Sequence, residues 1–405
     1  MTARERFITT LNFGKPDRIF YAFGHPRKAT MAAWYLQGLP RMSEAGDYGC
    51  PKEMLDFIGE DPILRLPIEL NSFPLFEERI LRETGHSRIW IDENGITAED
   101  AGANLNTPGF RTRRYVEHPV KNAEDWRRMR DEHFDPHAAG RYPDDWDEQA
   151  RKLKGHEVPV QVVIPSLYWK ARDWVGFESL SVMFYDNPSL VHEMMEYHAW
   201  FMMETLRRGL SDVEVDCVVL NEDMCYKHAM MISPQMFREF MMPHYKRLAG
   251  FLRSHRVQIL TVDSDGCNAQ LIPLLIESGF NCICPMEIAA QNDPVEYRKK
   301  YGRQIAFWGA IDKRLLTTKE SVYREVMSKV PWLVEQGGYR PGVDHAVPPT
   351  AHLRGFLYMV ELIKAIAVKR RIPLPYETLE IENRLGPVER YWSADLGIED
   401  ADEEE

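Results

Sequence analysis

From Val158 onward the chain repeats one pattern: a short apolar run rich in β-branched residues, then a longer segment with apolar positions at helical spacing. Val158–Pro165 (VPVQVVIP) opens the series. Asp216–Asp223 (DCVVLNED), Gln258–Gly266 (QILTVDSDG), Phe280–Glu287 (FNCICPME) and Ile305–Asp312 (IAFWGAID) follow, and Gly337–Pro349 (GGYRPGVDHAVPP) carries an acid–histidine pair. Near-continuous apolar runs mark strands buried on both faces, so the pattern predicts parallel strands alternating with helices. The helices are expected at Pro188–Leu210, Pro234–Ser254, Gln270–Ser278, Pro294–Tyr301, Lys319–Glu335 and Thr350–Ala367. About seven or eight such units make one eight-fold α/β (β/α) TIM-type barrel more economical than two domains. An open doubly wound sheet is the alternative.

The first part of the chain is less regular. Ala3–Leu11 reads as a helix and Arg18–Gly24 (RIFYAFG) as the first strand. Glu77–Ile96 reads as a charged helix end, a turn and a strand entering a second turn at Asp92–Gly95, with hairpin strands continuing to Val120. Asn122–Arg130 and Pro143–Leu153 have charged helical patterns and are expected to be exposed. The organisation expected is a barrel over residues 1–396 with N-terminal helical and hairpin decorations, then an acidic, solvated tail at 397–405.

Charge narrows the partners. A net charge of −12 argues against a nucleic-acid or anionic-membrane surface. No run approaches the roughly 20 apolar residues of a membrane span, and the start lacks the apolar core of a secretion signal, so the cytoplasm is the expected compartment. Cys50, Cys217, Cys225, Cys267, Cys282 and Cys284 form no disulfide framework, and most lie in or beside apolar runs, where reduced cysteine packs as a small hydrophobe.

Polar residues recur at the same end of each strand, where a parallel barrel opens its active face. Glu222, Asp223, Asp263, Asp265, Glu287, Asp312, Asp344 and His345 are therefore expected around one mouth. So many carboxylates repel one another unless a cation or shared protons neutralise them. The competing reading is that single acids cap helices or bind loop amides. Asp263, Asp265 and His345 are the candidate metal ligands, with Asp344 a candidate to orient the imidazole. Glu222, Asp223 and His345 are the candidate catalytic groups, and Tyr168, Trp169, Tyr226, Trp308 and Arg340 the candidate substrate contacts, Arg340 toward an anion.

Several segments also carry a resemblance: the opening RERFITTLNFGKPDR, ISPQMFREFMMPHYKRL at Ile232–Leu248, DSDG at Asp263–Gly266, YGRQIAFWGAIDKRLL at Tyr301–Leu316 and GGYRPGVDHAVPP at Gly337–Pro349. In these the chain resembles the uroporphyrinogen decarboxylase superfamily, which includes that decarboxylase and corrinoid-linked methyltransferases. The resemblance implies the eight-fold barrel. The decarboxylase has an Arg-Gln-Ala-Gly-Arg motif after its first strand; here Gly24–Trp34 reads GHPRKATMAAW, with Arg27 and Lys28 and no such motif, so uroporphyrinogen is not the expected substrate. The thiol-methylating branch holds zinc with a His-x-Cys pair and a later cysteine, where this chain has Asp263-Ser264-Asp265 and offers His345. That exchange suits a metal that polarises oxygen rather than activating a thiol.

The expectation is thus a metal-assisted methyltransferase or demethylase acting on a small O- or N-methyl compound. Its divalent ion would be zinc, and a corrinoid would be supplied by a partner protein. A decarboxylase or lyase of a small carboxylated substrate, using Arg340, Arg27 or Lys313, is the second reading, and a non-catalytic ligand-binding barrel the third. A homodimer is an open expectation.

Overall fold

The computed structural model describes residues 1–43, 50–101 and 113–388; the acidic tail lies outside them. The strands in chain order are β1 (Leu64–Arg65), β2 (Arg79–Glu83), β3 (Ser87–Ile91), β4 (Thr97–Ala101), β5 (Arg113–Glu117), β6 (Val160–Ile164), β7 (Cys217–Asn221), β8 (Ile259–Asp263), β9 (Cys282–Cys284), β10 (Ala306–Ile311) and β11 (Tyr339–Val343). They form two sheets. One is a curled parallel sheet of seven strands in the order β1-β6-β7-β8-β9-β10-β11, and the other is a four-stranded antiparallel meander, β2-β3-β4-β5.

The parallel order is nearly sequential because each strand is returned to the same end by a helix, the connection that parallel pairing requires. The helices Pro188–Asp212, Leu271–Ser278, Pro294–Tyr301, Lys319–Gln336 and Leu353–Ala367 lie within a few residues of their sequence expectations. Several start on built caps. Asp293 accepts from the amides of Val295 and Glu296 ahead of Pro294, and Thr318 forms a capping box with Ser321. Pro234–Ser254 is interrupted by a π-helical turn at Phe237–Met241.

Two segments correct the sequence reading. Arg18–Gly24 forms no named strand, so the eight-fold closure expected from sequence is not reproduced by the ladder. Its backbone still touches both sheet edges: Phe23 O accepts from Val343 N at 3.0 Å, and Tyr21 O from Asp61 N at 3.0 Å. Arg79–Glu83, read as a helix end, is a strand whose residues are all exposed. Three of its five residues are charged, which suits a solvated edge. The helices Ala123–His133 and Trp146–Lys152, expected to be exposed, each bury a tryptophan, Trp126 and Trp146.

At the N-terminal ends of the strands the helix Ala3–Leu11 forms a floor. Phe7 and Leu11 pack with Phe20, Cys217, Val219, Ile259, Cys282, Ala306 and Trp308 inside the curl of the sheet. Arg4 pins the helix to the start of β7 through Asp216 and Glu214, at 2.9 and 2.7 Å. The opposite end, where the strands hand over to loops, holds the acids.

Candidate metal and acid–base site

The eight strand-end residues named from sequence divide into two groups. Glu222, just past β7, is fully buried. Its Oε1 accepts from Trp169 N at 2.9 Å, and its Oε2 accepts from Tyr168 N at 3.1 Å and from the Tyr245 hydroxyl. It caps the helix Tyr168–Val175, whose free amides need an acceptor. Asp344 accepts from Ile288 N at 2.9 Å and Lys313 N at 3.0 Å, so it joins two loops and does not orient His345. Asp312 accepts from Arg314 N at 2.9 Å and pairs with the Arg314 guanidinium at 2.8 Å. For these three acids the capping reading describes the geometry.

The other five converge. Asp265, Glu287 and His345 each offer a ligand atom, and these atoms lie within 4.8 Å of one another. His345 Nε2 is 3.2 Å from Asp265 Oδ2, while its Nδ1 is buried without a partner among the described residues. The hydrogen bond that the ring donates to Asp265 raises the histidine's pKa. Glu287 accepts from Gly266 N at 3.0 Å and faces Lys313 Nζ at 3.2 Å. All three residues follow different strands, β8, β9 and β11, by two or three positions, so the loop starts build the group rather than the strands themselves.

Asp223 and Asp263 border it. Asp223 Oδ1 accepts from Asp265 N at 2.8 Å. Burial, and then the charge of Asp265, pushes its pKa up to about 6. Asp263 ends β8; burial, Asp223 and Asp265 raise it to about 7. Asp263 was expected as a ligand, but the converging trio contains Glu287 in its place. Two acids that hold protons near neutrality beside a histidine that favours its charged form make an acid–base cluster, whatever ion it holds. The turn that carries it demands glycine. Gly266 has φ +79°, and a Cβ there would stand 2.7 Å from Cys225 O.

The expected substrate contacts also separate. Trp308 and Arg340 are register partners on β10 and β11, the Arg340 guanidinium lying 3.8 Å from the indole centroid. Tyr168 and Trp169 open the helix capped by Glu222; Tyr168 is buried, and Trp169 lies under Arg172 at 4.0 Å. Tyr226 is exposed, its carbonyl accepting from Cys267 N beside the glycine turn. Cys282 and Cys225 have thiols pushed up to about 12 by burial, and that of Cys284 is raised well above its ordinary value, so none offers a ready thiolate.

Against known proteins, the family model described as uroporphyrinogen decarboxylase (URO-D) matches residues 95–366, more than half the chain. No curated protein matches it by sequence. A solved structure of a methyltransferase from Methanosarcina mazei superposes with a TM-score of 0.56, covering 89% of this chain and 97% of that one at 13% identity. At that identity the likeness is one of fold. The family match spans the strands β4–β11 and every residue of the converging acid cluster, and on it the chain belongs to the uroporphyrinogen decarboxylase family.

Proposed function

We propose that this protein is a metal-assisted methyltransferase or demethylase of the corrinoid-linked type, acting on a small O- or N-methyl compound. The observation that carries the reading is the convergence of Asp265, Glu287 and His345 within 4.8 Å. Two carboxylates and one imidazole are a donor set for a divalent ion such as zinc, with positions left for substrate. The unpartnered Nδ1 of His345 leaves one ring nitrogen free for an ion while Nε2 faces the Asp265 carboxylate. When bound, such an ion would supply Lewis-acid stabilisation of charge at the leaving oxygen or nitrogen.

The chain's own groups do the remaining work. Gly266 N and Lys313 hold the Glu287 carboxylate, and Asp265 N holds one oxygen of Asp223. Asp223, near pKa 6, would give or take the proton of the leaving group. Glu222, its expected alternative, has both oxygens engaged at the helix cap. The methyl acceptor would be a corrinoid on a partner protein docked over the mouth.

Metal content of untagged protein tests the reading. Near-stoichiometric divalent ion in wild type, lost in Asp265→Ala, Glu287→Ala and His345→Ala, is expected, followed by methylcobalamin formation when methyl ethers or methylamines are supplied with reduced cobalamin. Folded wild type that takes up no ion after incubation with zinc would end the proposal.

A further inference from the structure

The two buried arginines Arg141 and Arg298 show what burial normally requires. Arg141 donates to the carbonyls of Glu69, Asn71, His133 and Asp135. Arg298 donates to those of Gly302, Ile305 and Gly338. Arg340 differs. It faces the interior of the curled sheet, with Cys217, Cys282 and Cys284 around it, and stacks on Trp308. Among the described residues no carboxylate or carbonyl accepts from it, and its Nε, like that of Arg298, is buried without a partner. The Nε1 of Trp308, on the neighbouring strand, is a second buried donor with no acceptor. Glu60 is near enough to act on Arg340 electrostatically, but its oxygens are spent on Phe23 N at 3.0 Å and His25 Nε2 at 3.2 Å.

Burial lowers the pKa of Arg340, yet a guanidinium keeps its proton under almost any condition. The side chain is only partly buried, so its guanidinium can meet a ligand, while its Nε and the Trp308 Nε1 are buried donors left without acceptors, which is costly. An anion would relieve both. Arg340 lies nearer the strand starts than the acid cluster: on β11 it precedes His345 by five positions, and its register partner on β10 is Trp308.

We infer that the substrate carries a carboxylate, bound by Arg340 and Trp308 Nε1 inside the curled sheet, with its methyl-bearing end reaching toward Asp265, Glu287 and His345. The methyl end rests on the proposed methyl transfer; the anion subsite stands on its own residues. The planar guanidinium fork matches a carboxylate. A single positive charge with the Glu60 carboxylate nearby disfavours a dianion such as phosphate.

The test uses full-length protein stripped of metal by a chelator, so that a carboxylate cannot bind an ion instead. Acetate, succinate and benzoate are titrated by calorimetry against acetamide, succinamide and benzamide, in wild type and in Arg340→Met. At least one acid is expected to bind about tenfold or more tighter than its amide, a preference lost in the variant. If Arg340→Met does not fold, Arg340→Lys replaces it, and the wild-type acid–amide comparison stands by itself. Equal binding of every acid and its amide, or a preference that survives loss of Arg340, overturns the inference. The subsite and the methyl-transfer reading fail separately: acid preference in a chain that never takes up metal removes only the latter, and metal uptake without acid preference only the former.

Discussion

Glu222 and Asp223 are neighbours in sequence, as are Asp344 and His345, and in each pair the two side chains meet opposite fates. Glu222 and Asp344 turn into the wall, where backbone amides consume their oxygens. Asp223 and His345 turn to the mouth, where they meet Asp265. The same chemical group is thus a structural acceptor or a reactive one depending on which side of the strand end it leaves. The first kind is held by neutral dipoles, and its pKa is raised chiefly by burial. The second is crowded with like charge, so proton uptake or a cation must relieve it.

This contrast predicts that wall and mouth acids fail in different ways. The largest effect is expected at Glu222: Glu222→Ala strands two helix amides and the Tyr245 hydroxyl, and should lower unfolding stability by about 3 kcal/mol in chemical denaturation while metal per folded molecule stays unchanged. Asp344→Ala, which frees the amides of Ile288 and Lys313, should cost about 2 kcal/mol by the same measure. Loss of metal from either variant while it remains folded would break the distinction.

Mouth substitutions should do the reverse. Glu287→Gln is expected to weaken metal binding about tenfold to a hundredfold in competition with a chromophoric chelator, with a stability change of under about 1 kcal/mol in metal-free protein. The smallest effect concerns pH. Asp263 and Asp223 have folded pKa values of about 7 and about 6 against an ordinary 3.8, so across that interval the folded state binds more protons than the unfolded. Metal-free protein should therefore lose stability as pH rises from about 4 to 7, and Asp263→Asn should flatten that slope in urea titrations. A stability that instead climbs with pH would show that these carboxylates are stabilised as anions.

The sequence made the parallel strands legible because burial on both faces leaves uninterrupted apolar runs, as in β10, and Pro294–Tyr301 was bounded by its Asp293 cap and proline. Arg18–Gly24 misled for the opposite reason: an apolar composition records burial but not whether amides form a ladder. At the site, the convergence of acids could be read from their strand-end positions, but that Glu287 comes together with Asp265 and His345 could not. Alternation governs a residue only while its backbone is extended. Asp265 precedes a glycine at φ +79° and Glu287 follows Met286 at φ +63°, so turns aim them. A glycine right after the second acid of DSDG was the one signal of that turn in the sequence. The partnerless state of Arg340 has no sequence signature, because it depends on what β9 and the Glu60 loop do not offer.

The floor built by Ala3–Leu11 makes the interior a blind-ended vessel. With Phe7 and Leu11 packed among the strand starts, that end is filled by apolar side chains, and on the proposed reading reactants would come and go at the other. A bulky acceptor resting there would also be its stopper. Traffic then has to be sequential: the small reactant first, the large one after, and nothing out until the stopper lifts.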